Sequence, residues 1–195
     1  PEMSRGLGDV YKRQITTSVE HAAVKNSFEQ LRQLGYDVTY LPVDDEGRIS
    51  IDDLKAAIRP ETTLVSIMAV NNEIGTIQPI KEAAELLKQY PKIHFHVDAV
   101  QGLGKGIQDQ IFNDRTDFAV FSGHKFHAPR GTGFIYARRG RRIAPLMNGG
   151  GQEKNQRSGT ENLPGITAMS KAIRLVLGTE PAAVDKAVSY THLTL

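Results

Sequence analysis

Cysteine is missing altogether from these 195 residues. Disulfide bridges and thiolate metal sites are therefore excluded, and the composition suits a cytoplasmic protein. Long apolar runs are missing too. None approaches the roughly 20 residues of a membrane-spanning helix, and no charged-then-apolar leader is visible in the residues as they stand. No internal repeat stands out. Neither sign of charge is in excess: 24 Lys and Arg face 22 Asp and Glu, a formal net charge of +2. That balance does not argue for direct nucleic-acid binding. The basic run "ARRGRR" (137–142) reads as a solvated turn after a strand rather than as a phosphate-binding module.

What is present is the makeup of a folded α/β protein, with 39% hydrophobic and 24% charged residues. Val24, Phe28, Leu31 and Leu34 share one helical face, and Gly35 follows as a stop. The stretches 36–43, 63–70, 93–98, 117–122 and 133–137 read as strands, and a β-like segment precedes His21. Ser50 caps a short helix with Ile51, Leu54 and Ile58 inward. Pro79 opens another, with Ile80, Ala83, Ala84 and Leu87 inward. Residues 138–165 read as Gly- and Arg-rich loop, and 166–177 as a further helix. The alternation predicts an α/β fold with a largely parallel sheet and helices on both faces. In such sheets, ligands bind beyond the carboxyl ends of the strands. Those ends carry Asn71-Asn72-Glu73, Asp98 to Gln101, and Ser122 to Lys125.

Lys125 lies in "FSGHKFHAPRG" (121–131), just after an apolar strand. Partial desolvation there would favour the neutral amine, which attacks aldehydes to form a Schiff base. On position alone a surface lysine is the simpler account. Asp98, ending strand 93–98, changes the balance. A carboxylate beside the ring nitrogen of pyridoxal phosphate keeps that nitrogen protonated, so the ring can draw in electrons. An amine and a carboxylate on two strand ends form the pair this cofactor needs. His21 could stack on such a ring, and the Ser122-Gly123-His124 turn could approach a phosphate closely. A different reading takes His94, His96 and Asp98, which alternate along one strand face, as zinc ligands activating water.

"TTSVEHAAV", "VNNEIGTIQPI", "HVDAVQGLGK", "SGHKFHAPRGTGFIY" and "GGGQEKNQRSGTEN" occur in this order. Together they resemble the NifS/IscS-like cysteine desulfurases, class V, fold-type I enzymes dependent on pyridoxal 5'-phosphate. The resemblance covers essentially all of residues 15–177. It implies Lys125 as the Schiff-base lysine, Asp98 on the pyridine nitrogen and Gln101 on the phenolic oxygen. His21 would stack on the ring and share in proton transfer. Asn72 would lie near the cofactor and the substrate carboxylate, with Ser122 and His124 on the phosphate. Thr160 would reach the phosphate of a second subunit, which implies a homodimer. L-cysteine is the implied substrate, alanine the product, and an iron–sulfur scaffold or a tRNA-thiolation enzyme the sulfur acceptor. Other class V aminotransferases and lyases share the fold. The family's persulfide cysteine has no counterpart among these residues, so the chain on its own is expected to be inactive. Residues 1–14 and 187–195 resemble translated adapter sequence. The expectation is therefore a partial cofactor-binding large domain over 15–177, truncated at both ends, with non-native flanks.

Overall fold

Parallel pairing governs the architecture. The computed structural model describes residues 12–193, with side chains described through residue 178. Within that range one sheet runs in the order β2-β1-β3-β4-β5-β6. Its strands are β1 (Arg13–Thr17), β2 (Asp37–Leu41), β3 (Thr62–Met68), β4 (His94–Asp98), β5 (Phe118–Ser122) and β6 (Gly133–Ala137). The first five are mutually parallel, and β6 returns antiparallel to β5. The helices are α1 (Ala22–Gln33), α2 (Ile51–Ala57), α3 (Ile80–Leu87), α4 (Gln108–Ile111), the single turn α5 (Gln152–Asn155) and α6 (Leu163–Leu193). The largely parallel α/β sheet expected from the sequence is the sheet observed.

The two faces are covered unequally. Val65 and Ile67 of β3, Phe95 and Val97 of β4, and Ala119 of β5 enter one buried cluster. Ile80, Ala83, Ala84 and Leu87 of α3, Ile111 of α4 and Met169 and Ala172 of α6 complete it. The alternate strand residues Leu64, Ser66, Met68, His96, Asp98 and Val120 line a cleft on the other face. There α1 supplies Val24, Phe28 and Leu31. This division follows from the period-2 alternation of a strand, which sends neighbours to opposite faces.

Local signals act as read. The Ser50 hydroxyl accepts the Asp52 and Asp53 N–H groups and caps α2. Gly35 takes φ +87° after α1, a conformation that costs a glycine little. Leu34 departs from expectation. It is 66% exposed, because it caps α1 where the chain already reverses into β2, and the helical face no longer continues. The stretch 138–165 is not all loop: Glu153, Lys154 and Asn155 form a left-handed turn. The last helix also begins earlier and runs longer than 166–177. Arg13 and Gln14 are buried in β1. The flank expectation for residues 1–11, 194 and 195 lies outside the described residues.

Asp117, wholly buried just before β5, ties the far end of the sheet together. Its Oδ2 accepts the Phe95 N–H at 2.9 Å and Arg115 Nη1 at 2.7 Å. Its Oδ1 accepts Arg138 Nη2 at 2.5 Å and Arg141 Nε at 2.8 Å. Two arginines of "ARRGRR" therefore serve as structural partners of a carboxylate. Burial alone would raise the pKa of Asp117, but the Phe95 N–H and the arginines outweigh it and hold the group below the usual carboxylate value. Removing this carboxylate takes the ion-pair partner from the buried Arg115 and from the partly exposed Arg138 and Arg141. Asp117→Ala is expected to cost about 3–5 kcal/mol in urea unfolding. The carboxylate's own contribution is present above the ordinary carboxylate range and is lost as pH falls through its depressed value.

Candidate active site at the carboxyl edge of the sheet

The carboxyl ends of β1, β3, β4 and β5 lie along one edge, as parallel pairing with helical crossovers requires. A cavity of about 690 Å³ opens there. His21, Asn72, Asp98, Gln101, Ser122, His124 and Lys125 all line it. These are seven of the eight residues singled out from the sequence. The eighth, Thr160, is exposed in the loop before α6 and does not line this cavity.

Each side chain is delivered by a short local device. Asp98 ends β4, buried, with Oδ1 accepting the Val100 N–H at 3.0 Å. Desolvation raises its pKa, opposed by that hydrogen bond and by the nearby His21. His21 caps α1, and its Nδ1 accepts the Ala23 N–H at 3.1 Å. That bond places the ring proton of the neutral imidazole on Nε2. Ser122 ends β5, and a 3-10 turn, Gly123–Phe126, carries His124 and Lys125. His127 closes the turn at φ 67°.

Lys125 differs from expectation in one respect. It is exposed at the cavity rim rather than desolvated in a strand mouth, because the 3-10 turn lifts it beyond the end of β5. Gly123 also has a role besides ligand approach. Its N–H donates to the Thr132 carbonyl at 2.8 Å, and a Cβ there would come within 2.4 Å of Thr132 Oγ1 and 2.9 Å of its carbonyl oxygen. The glycine lets the 128–132 loop seat against the lysine turn. Gly123→Ala is expected to cost about 1–3 kcal/mol in thermal or urea unfolding, since that backbone oxygen cannot yield as a flexible side chain would.

The zinc reading of His94, His96 and Asp98 is not supported. Among the described residues no group of three His, Cys, Asp or Glu side chains is placed to hold a metal ion. His96 Nδ1 lies 2.8 Å from the Ser66 hydroxyl, and His94 packs at 5.8 Å against the Phe118 ring with Asp117 as its nearest carboxylate. The three side chains are thus engaged with different neighbours. Desolvation pushes the His96 pKa from 6.5 down to about 4.

Beneath the cleft, sequence reasoning overlooked Glu20 and gave Asn71, noted at its strand end, no role of its own. Glu20 is buried, and its Oε1 accepts the Thr17 hydroxyl at 2.9 Å and the Met68 N–H at 2.8 Å. Asn71 is buried too. Its Nδ2 donates to the Val19 carbonyl, and its Oδ1 accepts the Glu73 and Ile74 N–H groups. The available signal was a carboxyl next to a candidate histidine, and an asparagine at a strand end, where such side chains close turns.

An α/β sheet whose strand ends gather an amine, a carboxylate, imidazoles and a hydroxyl around one cavity is the large-domain architecture of fold-type I enzymes. Residues 10–192 match the aminotransferase class-V family, and the chain belongs to that family. It is 62% identical over 175 residues to a NifS/IcsS protein homolog of Lactobacillus delbrueckii subsp. bulgaricus, covering 90% of this chain and 46% of that protein. It is 49% identical over 166 residues to the cysteine desulfurase IscS of Dictyoglomus turgidum, covering 85% and 42% respectively. A solved NifS-like protein superposes with a TM-score of 0.83 at 41% identity, covering 89% of this chain and 47% of that one. The chain therefore spans under half the length of these relatives.

The His96 environment makes a pH prediction. Its imidazole should titrate near pH 4 by NMR, against the ordinary 6.5. Its contribution to stability is complete above pH 6.5 and is lost as pH falls toward 4, where the folded state must accept a desolvated charge.

Proposed function

We propose that this chain is the cofactor-binding core of a pyridoxal-phosphate-dependent cysteine desulfurase, which takes sulfur from L-cysteine and releases L-alanine. One observation carries the reading: Lys125 and Asp98, from different strand ends, line the same cavity. The names of the relatives point the same way, since one is a cysteine desulfurase IscS.

The donor set fits the cofactor. Asp98 is a buried carboxylate, Lys125 an accessible amine, and Ser122 and His124 are polar groups on the adjoining turn. Met68, Val70, Val100 and Val120 give the cavity an apolar lining suited to a ring. Lys125 would hold the cofactor through its amine, Asp98 would face the pyridine nitrogen, and Gln101 the phenolic oxygen. Ser122 and His124 would face the phosphate, and Asn72 the substrate carboxylate. When bound, pyridoxal phosphate supplies an electron sink for the bond broken at the substrate's α-carbon.

The chain's own groups supply the rest. When ionised, Asp98 carries its charge in a desolvated place, where it would act strongly on a nearby proton. With Nδ1 bound to the Ala23 N–H, His21 keeps Nε2 for the ligand and can both stack and exchange a proton there. Lys125, at the rim, can give and take a proton between cavity and solvent. Thr160, outside this cavity, would serve the phosphate of a second copy, so a homodimer belongs to the proposal. No thiol occurs in these 195 residues, so the persulfide would form on another part of the enzyme, to be passed to an iron–sulfur scaffold or a tRNA-thiolation enzyme. A cytoplasmic setting completes the reading. Among the described residues no helix is long and apolar enough to cross a membrane.

The test uses the 195-residue chain. It is mixed with pyridoxal phosphate, reduced with borohydride and mapped by peptide mass. The expected result is a yellow species and a reduced adduct on Lys125, both absent in Lys125→Ala. Asp98→Ala should weaken binding by roughly 10–100-fold, the worth of a hydrogen bond to a charged group. An adduct scattered over surface lysines, or unchanged in Lys125→Ala, would sink the assignment.

A further inference from the structure

Glu20 has no part in the chemistry above, yet it is the most constrained carboxyl at the site. It is 6% exposed and lies between the end of β1 and His21, the N-cap of α1. Its Oε1 accepts two donors, the Thr17 hydroxyl and the Met68 N–H. Its Oε2 is enclosed and has no hydrogen-bond partner. Met68 is the residue of β3 paired directly with Asp98 of β4. Glu20 is therefore fastened beside the carboxylate proposed to face the cofactor.

We propose that Glu20 is a positioning residue, which ties the turn bearing His21 to the end of β3, beside Asp98 of β4. The proposal rests on the cofactor reading of that cavity and adds to it the group that holds His21 and Asp98 in relation to each other.

The geometry explains why a carboxyl is used and in which state. The turn 18–20 is held on two sides: by Glu20 on Met68, and by Asn71, whose Nδ2 donates to the Val19 carbonyl at 3.0 Å. The groups acting on the carboxyl are Asp98 on β4 and the neutral Thr17 and Met68. None is a lysine or arginine. Two carboxylates side by side in such a place cannot both ionise cheaply. Glu20 is the one that yields: burial raises its pKa from 4.5 to about 8, aided by Asp98 and only partly offset by its two hydrogen bonds. With Oε1 occupied as acceptor, the proton resides on Oε2. A neutral acid thus keeps the anchoring oxygen in place and adds no charge to compete with Asp98.

The sign of the pH effect follows. The folded state holds a proton that the unfolded chain releases near its ordinary value. Stability from this group is complete below pH 4.5 and is lost as pH rises through about 8.

The test compares the full wild-type chain with Glu20→Gln and Glu20→Ala. Glutamine keeps an oxygen for Thr17 and Met68 but cannot ionise, whereas alanine removes the tie. Without cofactor, urea unfolding should show wild type losing stability relative to Glu20→Gln as pH rises from 4.5 to 8, the His96 contribution being common to both. In a titration with pyridoxal phosphate followed by visible absorbance, Glu20→Gln should bind within about twofold of wild type and Glu20→Ala about 10-fold more weakly. The pH midpoint of the absorbance band should move in the alanine variant and stay in the glutamine variant. The idea is overturned if glutamine binds as weakly as alanine, if alanine matches wild type, or if the stability difference between wild type and Glu20→Gln does not change with pH. Should Glu20→Ala fail to fold, the glutamine variant decides alone through its binding and its stability profile. Labelling of Lys125 in wild type reports on the cofactor separately. A label with no effect of either substitution counts against Glu20 alone. No label, with wild type still losing stability relative to Glu20→Gln as pH rises, counts against the cofactor while the tie stands.

Discussion

The register of β3 against β4 is the constraint on which the site depends. Met68 stands opposite Asp98, and the Ala69 N–H donates to the Asp98 carbonyl at 2.8 Å. On the far side Asp98 pairs with Val120, two residues before Ser122 and the lysine turn. On the near side Met68 receives Glu20, and with it the turn that carries His21. A slip of one residue would send Asp98 to the opposite face, into the cluster of Phe95 and Val97, and would part it from both neighbours. The site is thus a consequence of strand pairing, and its side chains come from segments far apart in the chain.

That pairing creates an electrostatic setting with little room for charge. Glu20, Asp98 and His96 all lie where desolvation disfavours their ionised forms. A place that resists charge gives weight to whatever charge persists, because low dielectric strengthens each remaining interaction. The Val100 N–H and His21 favour the charged form of Asp98 against its desolvation, while Glu20 and His96 remain neutral near pH 7. The opposite end of the sheet handles charge differently. Asp117 is as buried as any group in the protein, yet arginines gather around it. A paired carboxylate serves as a staple, whereas the sparsely paired Asp98 lines the cavity. The staple joins β4, β5 and the segment after β6 at the end away from the cavity, and so steadies the strands that present Asp98 and Lys125.

Much of this was legible in the residues. Ser50, Pro79 and Gly35 marked helix ends because caps and stops act within a few residues. The strand 63–70 was legible because a run buried on both faces is continuous. The chemical types at the strand ends pointed to one edge, and seven of the eight named residues meet at one cavity there. Less legible were Leu34, which leaves its helical face at the cap, and the left-handed turn at Glu153–Asn155, which no glycine at those positions announces.

By itself the sequence determined where strands and helices form, which way the chain alternates between them, and which reactive groups stand at the strand ends. Periodicity, caps and turn residues act over a few positions, so a linear reading captures them. Tertiary structure alone decided the environment of each group: that Lys125 stands at the rim, that His96 answers to Ser66, and that Glu20 lies enclosed. The bond from Glu20 to the Met68 N–H spans 48 positions of the chain. Desolvation depends on everything packed around a group, and neighbours so distant in sequence leave no local mark.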